Sequence, residues 1–339
     1  SLLSPLSRAD VLREADVIEE VMRIYGFNNI APPSIVKSTL SFQDGVDEHS
    51  TKENISHVLN GFGFSEIMTN SISQSKYYPE GEKLVMLQNS MTSELDSMRA
   101  SLIPEALNVL RHNINRKKIN LKFYEFGHTY NFDHSQEAFL AIYYTGEVLE
   151  NNWMAKKQAA SIFHLKGIVE ALFKNLKFGK LKIKTSDDQI QIYVKKILLA
   201  ELKEVSANQL DSFEIDQEVF TAILHWDKII SSLNKQKIRF QEITKFPAVS
   251  RDLAVILDDN VNFEEIRNRI TQSAGFLLKD MDLFDVFKSE EKIGKGKKSY
   301  ALNFKLQDQA KTLTDHEIDK TMNHIIKTLE KDFDATIRM

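Results

Sequence analysis

The sequence contains no cysteine. That absence removes disulfides, thiolate metal sites and thiol nucleophiles together, fits a reducing compartment, and makes the cytoplasm the expected location. Long apolar runs are missing too: charges interrupt the hydrophobic segments every few residues, so none approaches the roughly 20 apolar residues of a membrane-spanning helix. No basic-then-apolar leader opens the chain, and Ser1 is not an initiator Met, so the chain is expected to be a fragment that begins in a strand leading into a helix. Positive charge is not in excess. A net charge of −4 excludes a protein that wraps nucleic acid by overall charge and confines any RNA contact to local basic patches. Enzyme signatures are also wanting, with no G-x-S-x-G elbow, Walker loop or H-E-x-x-H, and the nine histidines are scattered. Gly61-Phe62-Gly63 reads as a turn, because a dinucleotide loop needs a third glycine. No internal repeat or low-complexity tract is found.

What remains is a chain of 339 residues, long enough for two domains. From Leu12 to Tyr25, Val17, Ile18, Val21, Ile24 and Tyr25 share one side of a 3.6-residue wheel, which predicts an amphipathic helix ended by Gly26. Pro32 and Pro33 place a first boundary beyond it. A helix is expected over 50–59 and a strand over 66–71. A further helix is expected over 99–115, where Pro104 is tolerable near the first turn. Strands follow at 121–126 and 139–144. The order suggests a mixed α+β module up to about Asp227.

A polar, basic stretch at 231–237 precedes a more regular segment. Leu253, Val255 and Leu257 alternate in a strand, and Asn262 with Glu265 has capping-box spacing before a helix through Ile270. Residues 276–287 read as a second strand, and Tyr300 to Leu306 as a third. Thr314 with Glu317 makes another capping box before a helix through Leu329, and Ala335 and Ile337 close with a fourth strand. The order β-α-β-β-α-β is the ferredoxin-like split unit.

Three charged constellations stand out. Asp16, Glu19 and Glu20 are spaced to share one helical face, with Asp10 upstream and Arg23 near enough to neutralise them. Such a face suits a hard divalent cation, but spacing alone favours a solvated acidic face near a helix N-terminus. Arg111, His112, Arg116, Lys117, Lys118 and Lys122 form a basic cluster readable as a phosphate contact or as ordinary cations near a helix C-terminus. The connection 288–298 holds Lys288, Lys292, Lys295, Lys297 and Lys298 around Gly294 and Gly296, and predicts a pliant positive hairpin arm or a solvated tip. The third strand's outward residues, Asn303 and Lys305, are polar enough to meet RNA, but that face lacks the aromatic pair on which bases stack.

Several segments carry a resemblance. R-A-D-V-L-R-E-A-D-V-I-E-E from Arg8 to Glu20, continuing to Ile30, resembles the end of a central domain of the bacterial phenylalanyl-tRNA synthetase beta chain. Segments 63–71 (G-F-S-E-I-M-T-N-S), 98–104 (M-R-A-S-L-I-P), 123–127 (F-Y-E-F-G) and 165–167 (L-K-G) resemble that family's catalytic-like module. Segments 246–254 (F-P-A-V-S-R-D-L-A), 283–287 (L-F-D-V-F) and 313–317 (L-T-D-H-E) resemble its C-terminal anticodon-binding domain.

The resemblance implies four parts: the end of a magnesium-site domain at 1–31, a class II synthetase-like antiparallel sheet module at 32–230, a linker at 231–245, and a ferredoxin-fold anticodon-binding domain at 246–339. It implies that Asp10, Asp16, Glu19 and Glu20, in the pattern D-x5-D-x2-E-E, ligate Mg2+ at a site shared with the alpha chain. It implies a heterotetramer of two alpha and two beta chains acting on tRNA(Phe), with ATP a substrate of the holoenzyme and no membrane partner. The middle module is expected to be non-catalytic, since no G-x-G-x-x-R lies between Pro33 and Asp227, and this fragment alone is expected to be inactive. Arg251, Lys295, Lys297 and Lys298 become candidate tRNA contacts by charge and topology alone. Two other readings are a freestanding RNA-binding or assembly protein built on the ferredoxin-like unit, and a magnesium-dependent enzyme on the acidic helix. The latter lacks phosphate-handling groups near that helix.

Overall fold

Helix α1 (Glu14–Tyr25) forms where the apolar spacing predicts it. The Asp16 carboxylate accepts from the backbone N–H groups of Leu12 and Arg13 at 2.9 and 2.7 Å, satisfying donors at the helix N-terminus. Gly26, at φ 95°, turns the chain out of the helix. This helix lies in a unit of residues 1–45, separate from a larger unit of residues 46–339 in the computed structural model. The structure describes residues 8–338 apart from 36, 40–44, 91, 93, 150–152, 155, 180, 187–188, 237–239 and 241. The strand expected at the very start, and part of the expected linker, therefore lie outside the described residues. No residue of α1 is buried, and its apolar positions Val21 and Ile24 stand 62% and 86% exposed.

The larger unit opens with α2 (Glu48–Gly61), whose N-terminal amide at His49 donates to the Asp47 carboxylate at 3.0 Å. Then come β1 (Ser65–Glu66), β2 (Ile72–Ser73), β3 (Ser97–Met98), α3 (Ile103–Ile114), β4 (Leu121–Tyr130), β5 (Gln136–Thr145), β6 (Glu147–Leu149), β7 (Gln158–Ala159) and α4 (Ile162–Asn175). After these, β8 (Leu181–Thr185), β9 (Gln189–Val194), β10 (Ile197–Glu204), α5 (Ala207–Ser212), β11 (Val219–His225) and α6 (Trp226–Asn234) complete the module. Seven strands form one sheet in the order β1-β4-β5-β11-β10-β9-β8. Only the β1–β4 pair in it is parallel.

Both faces of this sheet are covered, which is why β5 reads as an unbroken apolar run. Leu140, Ile142 and Tyr144 point into a core shared with Leu59 of α2, Leu165, Val169 and Phe173 of α4, and Trp226 of α6. Phe139, Ala141 and Tyr143 point the other way, onto Leu107 and Leu110 of α3 and onto Leu210 and Phe213. Full burial of each such side chain contributes about 1.5–3 kcal/mol.

The last part holds β12 (Val249–Asp258), α7 (Phe263–Ser273), β13 (Leu278–Phe287), α8 (Glu290–Ile293), β14 (Lys297–Leu306), α9 (Asp315–Phe333) and β15 (Thr336–Arg338). Its antiparallel sheet runs β13-β14-β12-β15. One face packs Val255, Leu257, Met281, Leu302 and Phe304 against Ile266 and Ile270 of α7 and Ile325 and Leu329 of α9. This is the expected β-α-β-β-α-β order with one short helix added. Lys166 of α4 meets Glu264 of α7 at 2.7 Å, joining the two parts through side chains only 15% and 12% exposed.

Four local expectations need correction. The strand expected over 66–71 stops at Glu66, because Thr69 leaves the ladder to hydrogen-bond Glu125. The helix expected over 99–115 begins at Ile103 rather than Arg99, whose side chain is drawn into the same network. Thr314 and Glu317 do form a reciprocal capping box, whereas the Asn262 side chain caps nothing and only its carbonyl accepts from Glu265 at 3.1 Å. Finally, 288–298 is not a bare hairpin connection but holds the short helix α8. Ile293 of α8 is buried, Lys288 pairs with Asp259 at 2.6 Å, and the Asp259 N–H donates to the Gly296 carbonyl.

Candidate metal site and nucleic-acid interface

The four carboxylates singled out on and before α1 do not converge as a set. Asp16 turns back to the helix N-terminus, and its two backbone donors hold its carboxyl below the usual range. Asp10 and Glu20 do come together, on a residue the spacing did not single out. Arg8 Nη2 lies 2.8 Å from Asp10 Oδ2 and 2.6 Å from Glu20 Oε1, and Arg23 approaches Glu20 from the other side at 3.3 Å. The Arg8 hydrogen bond keeps Asp10 ionised and lowers its pKa, while the two carboxylates raise that of Arg8. Glu19 is exposed. No periodicity could have announced Arg8, because its role depends on the chain before α1 folding back towards Glu20.

Magnesium takes hard oxygen ligands and is commonly held by one or two carboxylates with several waters. Asp10 and Glu20 fit that chemistry, since both already face one cationic group. As folded, however, no cluster of three or more His, Asp or Glu side chains suited to a metal occurs among the described residues. Asp16 and Glu19 would have to turn, and Arg8 to withdraw, for all four to meet one ion.

Three segments far apart in sequence meet inside the large sheet module. Arg99 Nη1 lies 2.9 Å from Glu125 Oε1, with side chains 4% and 2% exposed. The Thr69 hydroxyl lies 2.8 Å from Glu125 Oε2 and from Arg99 Nη1, and Arg99 Nε donates to the His128 carbonyl at 2.8 Å. Gly127 makes room: a Cβ there would sit 2.6 Å from Arg99 Nη2 and 2.7 Å from Leu102 Cδ2. Beside the network, Tyr143 donates to the Leu102 carbonyl, and burial pushes its phenol well above its ordinary pKa. The network closes the space between β4 and α3 with groups that satisfy one another, so neither charge is free for a substrate. Thr69, Arg99, Glu125 and Gly127 all fall in the segments quoted for the resemblance, but their meeting was not legible there.

The basic cluster divides. Arg116 caps its own helix by donating to the His112 carbonyl at 2.9 Å, Arg111 lies 3.8 Å from Glu214, and Lys122 donates to the Phe62 carbonyl and lies over the Tyr144 ring. In the C-terminal part, Arg251, Lys295 and Lys297 are exposed. Lys298 is not: it is 6% exposed, donates to the Asp259 carbonyl at 2.7 Å, and lies 4.9 Å from the Tyr300 ring centre. Strand alternation puts it on the helix-covered face, where it serves the fold. The opposite, helix-free face of the sheet is acidic. The register sets Asp252 and Asp282 beside Asn303, and Asp280 beside Lys305.

Against this geometry, comparisons with known proteins are specific. Residues 32–226 match the family described as phenylalanyl tRNA synthetase beta chain CLM domain, 244–338 the ferredoxin-fold anticodon binding domain, and 2–27 the tRNA synthetase B5 domain. These define the class, subunits of aminoacyl-tRNA synthetases. The chain is 36% identical to the phenylalanine–tRNA ligase beta subunit of Bacteroides fragilis, over 100% of this chain and 44% of that protein. It is 37% identical to that of Bacteroides thetaiotaomicron over the same shares, and 33% identical to that of Porphyromonas gingivalis over 98% and 44%. The chain belongs to the phenylalanyl-tRNA synthetase beta-chain family. It spans 44% of the length of these curated relatives. Among solved structures, a pyrrolysyl tRNA synthetase of Desulfitobacterium hafniense aligns at 11% identity and a TM-score of 0.46, over 54% of this chain and 66% of that one.

Proposed function

We propose that this chain is the non-catalytic partner in a phenylalanine–tRNA ligase, a cytoplasmic heterotetramer of two alpha and two beta chains that joins phenylalanine to tRNA(Phe) at the expense of ATP. The observation that carries the reading is the ordered match of three family domains along one chain. Residues 1–31 end a magnesium-site domain, 32–230 form a class II synthetase-like module, 231–245 link it onward, and 246–339 bind the tRNA anticodon region. The lone parallel pair at the edge of an antiparallel sheet supports the class II reading. The module's polar centre supports a scaffold, because Arg99 and Glu125 neutralise each other in the interior. No helix among the described residues is long and apolar enough to cross a membrane.

Asp10, Asp16, Glu19 and Glu20 would hold Mg2+ with help from the alpha chain, and an ion there would supply a fixed positive charge at the shared boundary. Asp10 and Glu20 would bind it directly once Arg8 turns away, leaving Asp16 and Glu19 to complete the set. Arg251, Lys295 and Lys297 remain exposed enough to meet tRNA. Lys298 is left out because its amine is engaged in the fold.

The test is to mix the purified chain with a phenylalanyl-tRNA synthetase alpha chain, measure complex formation, and assay adenylate formation from phenylalanine and ATP. Stable association with no adenylate made by this chain alone is expected. Failure to associate, together with tRNA binding by this chain by itself, would favour the freestanding RNA-binding reading. For the metal, D16A/E20A should weaken alpha-chain association or its magnesium dependence, and unchanged assembly would reject the site.

A further inference from the structure

The large sheet module and the C-terminal part keep separate apolar cores. Among the described residues, no apolar side chain of 46–234 joins the cluster around Val255, Leu302 and Ile325, and none of 249–338 joins those of the large sheet. What crosses between them is charge. Lys166 of α4 pairs with Glu264 of α7 at 2.7 Å, and no other ion pair spans the two parts among the described residues. An open cleft of about 350 Å³ runs beside this pair, lined by Glu170, Leu181 and Ile183 from the sheet module and by Arg267, Leu278 and Met281 from the C-terminal part. Water therefore has a way to the joint from the side.

Each member of the pair also has a second partner on its own helix. Lys166 faces Glu170 at 3.4 Å, four residues along α4, and Glu264 faces Arg267 at 3.9 Å, three residues along α7. Both contacts are longer than the one that crosses the joint, so both have room to shorten when it breaks. Glu264 further stands in the first turn of α7, where the helix macrodipole favours a negative charge. Opening the joint thus leaves neither charge alone. Arg99 and Glu125 are the contrast, because they are sealed inside the module and separating them would strand two charges.

We propose that Lys166 is a reversible latch: the C-terminal part leaves and regains its seat on the sheet module as an intact body, with Lys166 held by Glu264 in the closed form and by Glu170 in the open one. The L-K-G stretch at 165–167 thereby gains a role, its leucine packing into the module's core and its lysine holding the neighbouring part. The latch does not depend on what either part binds.

The test is single-molecule energy transfer between the two parts in the 339-residue chain. Because the chain has no cysteine, N208C/N323C takes dyes at those two sites alone, both of them exposed, one on α5 and one on α9. One closed peak is expected at about 0.05 M salt, with a second, open peak growing as salt rises towards about 1 M and screens the crossing pair. In this background, K166Q and E264Q should each lower the closed-to-open ratio at least about 10-fold, since each removes a charged hydrogen bond across the joint. E170Q should move the ratio the other way, by about 2-fold, because it removes the partner that receives Lys166 when the joint opens. K166R, which keeps the charge, should stay closed, and that recovery separates a lost charge from a damaged helix. Circular dichroism should be the same for all of them, since each part keeps its own core. A single unchanged peak in K166Q and E264Q at every salt concentration would overturn the latch. So would an open peak whose share ignores both substitutions, or an E170Q variant that opens as K166Q does.

Discussion

Arg8 and Arg99 each hold a carboxylate within 3 Å, but the side chains of Arg8 and Asp10 are 44% and 66% exposed and those of Arg99 and Glu125 only 4% and 2%. At the surface, water competes for both partners and salt screens them, so the Arg8 pairs contribute little to stability. In the interior, each charge depends on its partner and on Thr69 to remain solvated at all. An arginine–carboxylate pair is therefore a weak surface contact in one region and a fixed part of the fold in the other.

The comparison breaks most sharply at Glu125. E125A should destabilise the sheet module by about 3–5 kcal/mol in urea unfolding, because it strands a buried guanidinium; a loss below about 1 kcal/mol would mean that solvent reaches the site. The double variant R99M/E125L should recover most of that stability, since apolar groups of similar volume often replace a buried pair without penalty. G127A should cost about 1–3 kcal/mol, because the added methyl must displace Arg99 or Leu102. T314A, which removes one half of the cap on α9, should cost about 0.5–2 kcal/mol. The other half of that cap has a pH signature. Lys311, followed by the Thr314 N–H and hydroxyl, lowers Glu317 from 4.5 to about 2, so its contribution is complete above about 4.5 and fades as pH falls towards about 2. Amide exchange at the start of α9 should accelerate only in that acid window. The smallest effect is expected from R8A. It should leave the unfolding of residues 46–339 unchanged, and NMR titration should find the Asp10 pKa raised towards the ordinary carboxylate value, since the hydrogen bond that lowers it is gone.

Elements with strong periodicity or paired signals were legible in the sequence. The apolar stripe of α1, the Thr314–Glu317 box and the alternation of Tyr300 to Leu306 each rest on near neighbours, and each forms as expected. What was not legible depended on tertiary placement. Lys298 looks like any lysine of a basic hairpin until strand parity turns it under the helices. Thr69 sits in a stretch with strand alternation, yet Glu125, 56 residues away, draws it out of the ladder. The acidic spacing on α1 correctly places three carboxylates along one side of a helix, but it could not show that Asp16 would serve the helix's own amides or that Arg8 would fold back onto Glu20.

Helix α7 touches both of its neighbours through charge. Glu264, at its start, meets Lys166 of the sheet module, and Arg269, further along, meets Asp332 of α9. It therefore acts as a strut. A load on α9 would pass through Arg269 and the Ile266 and Ile270 packing into Lys166, and so reach the large sheet through side chains rather than along the backbone alone.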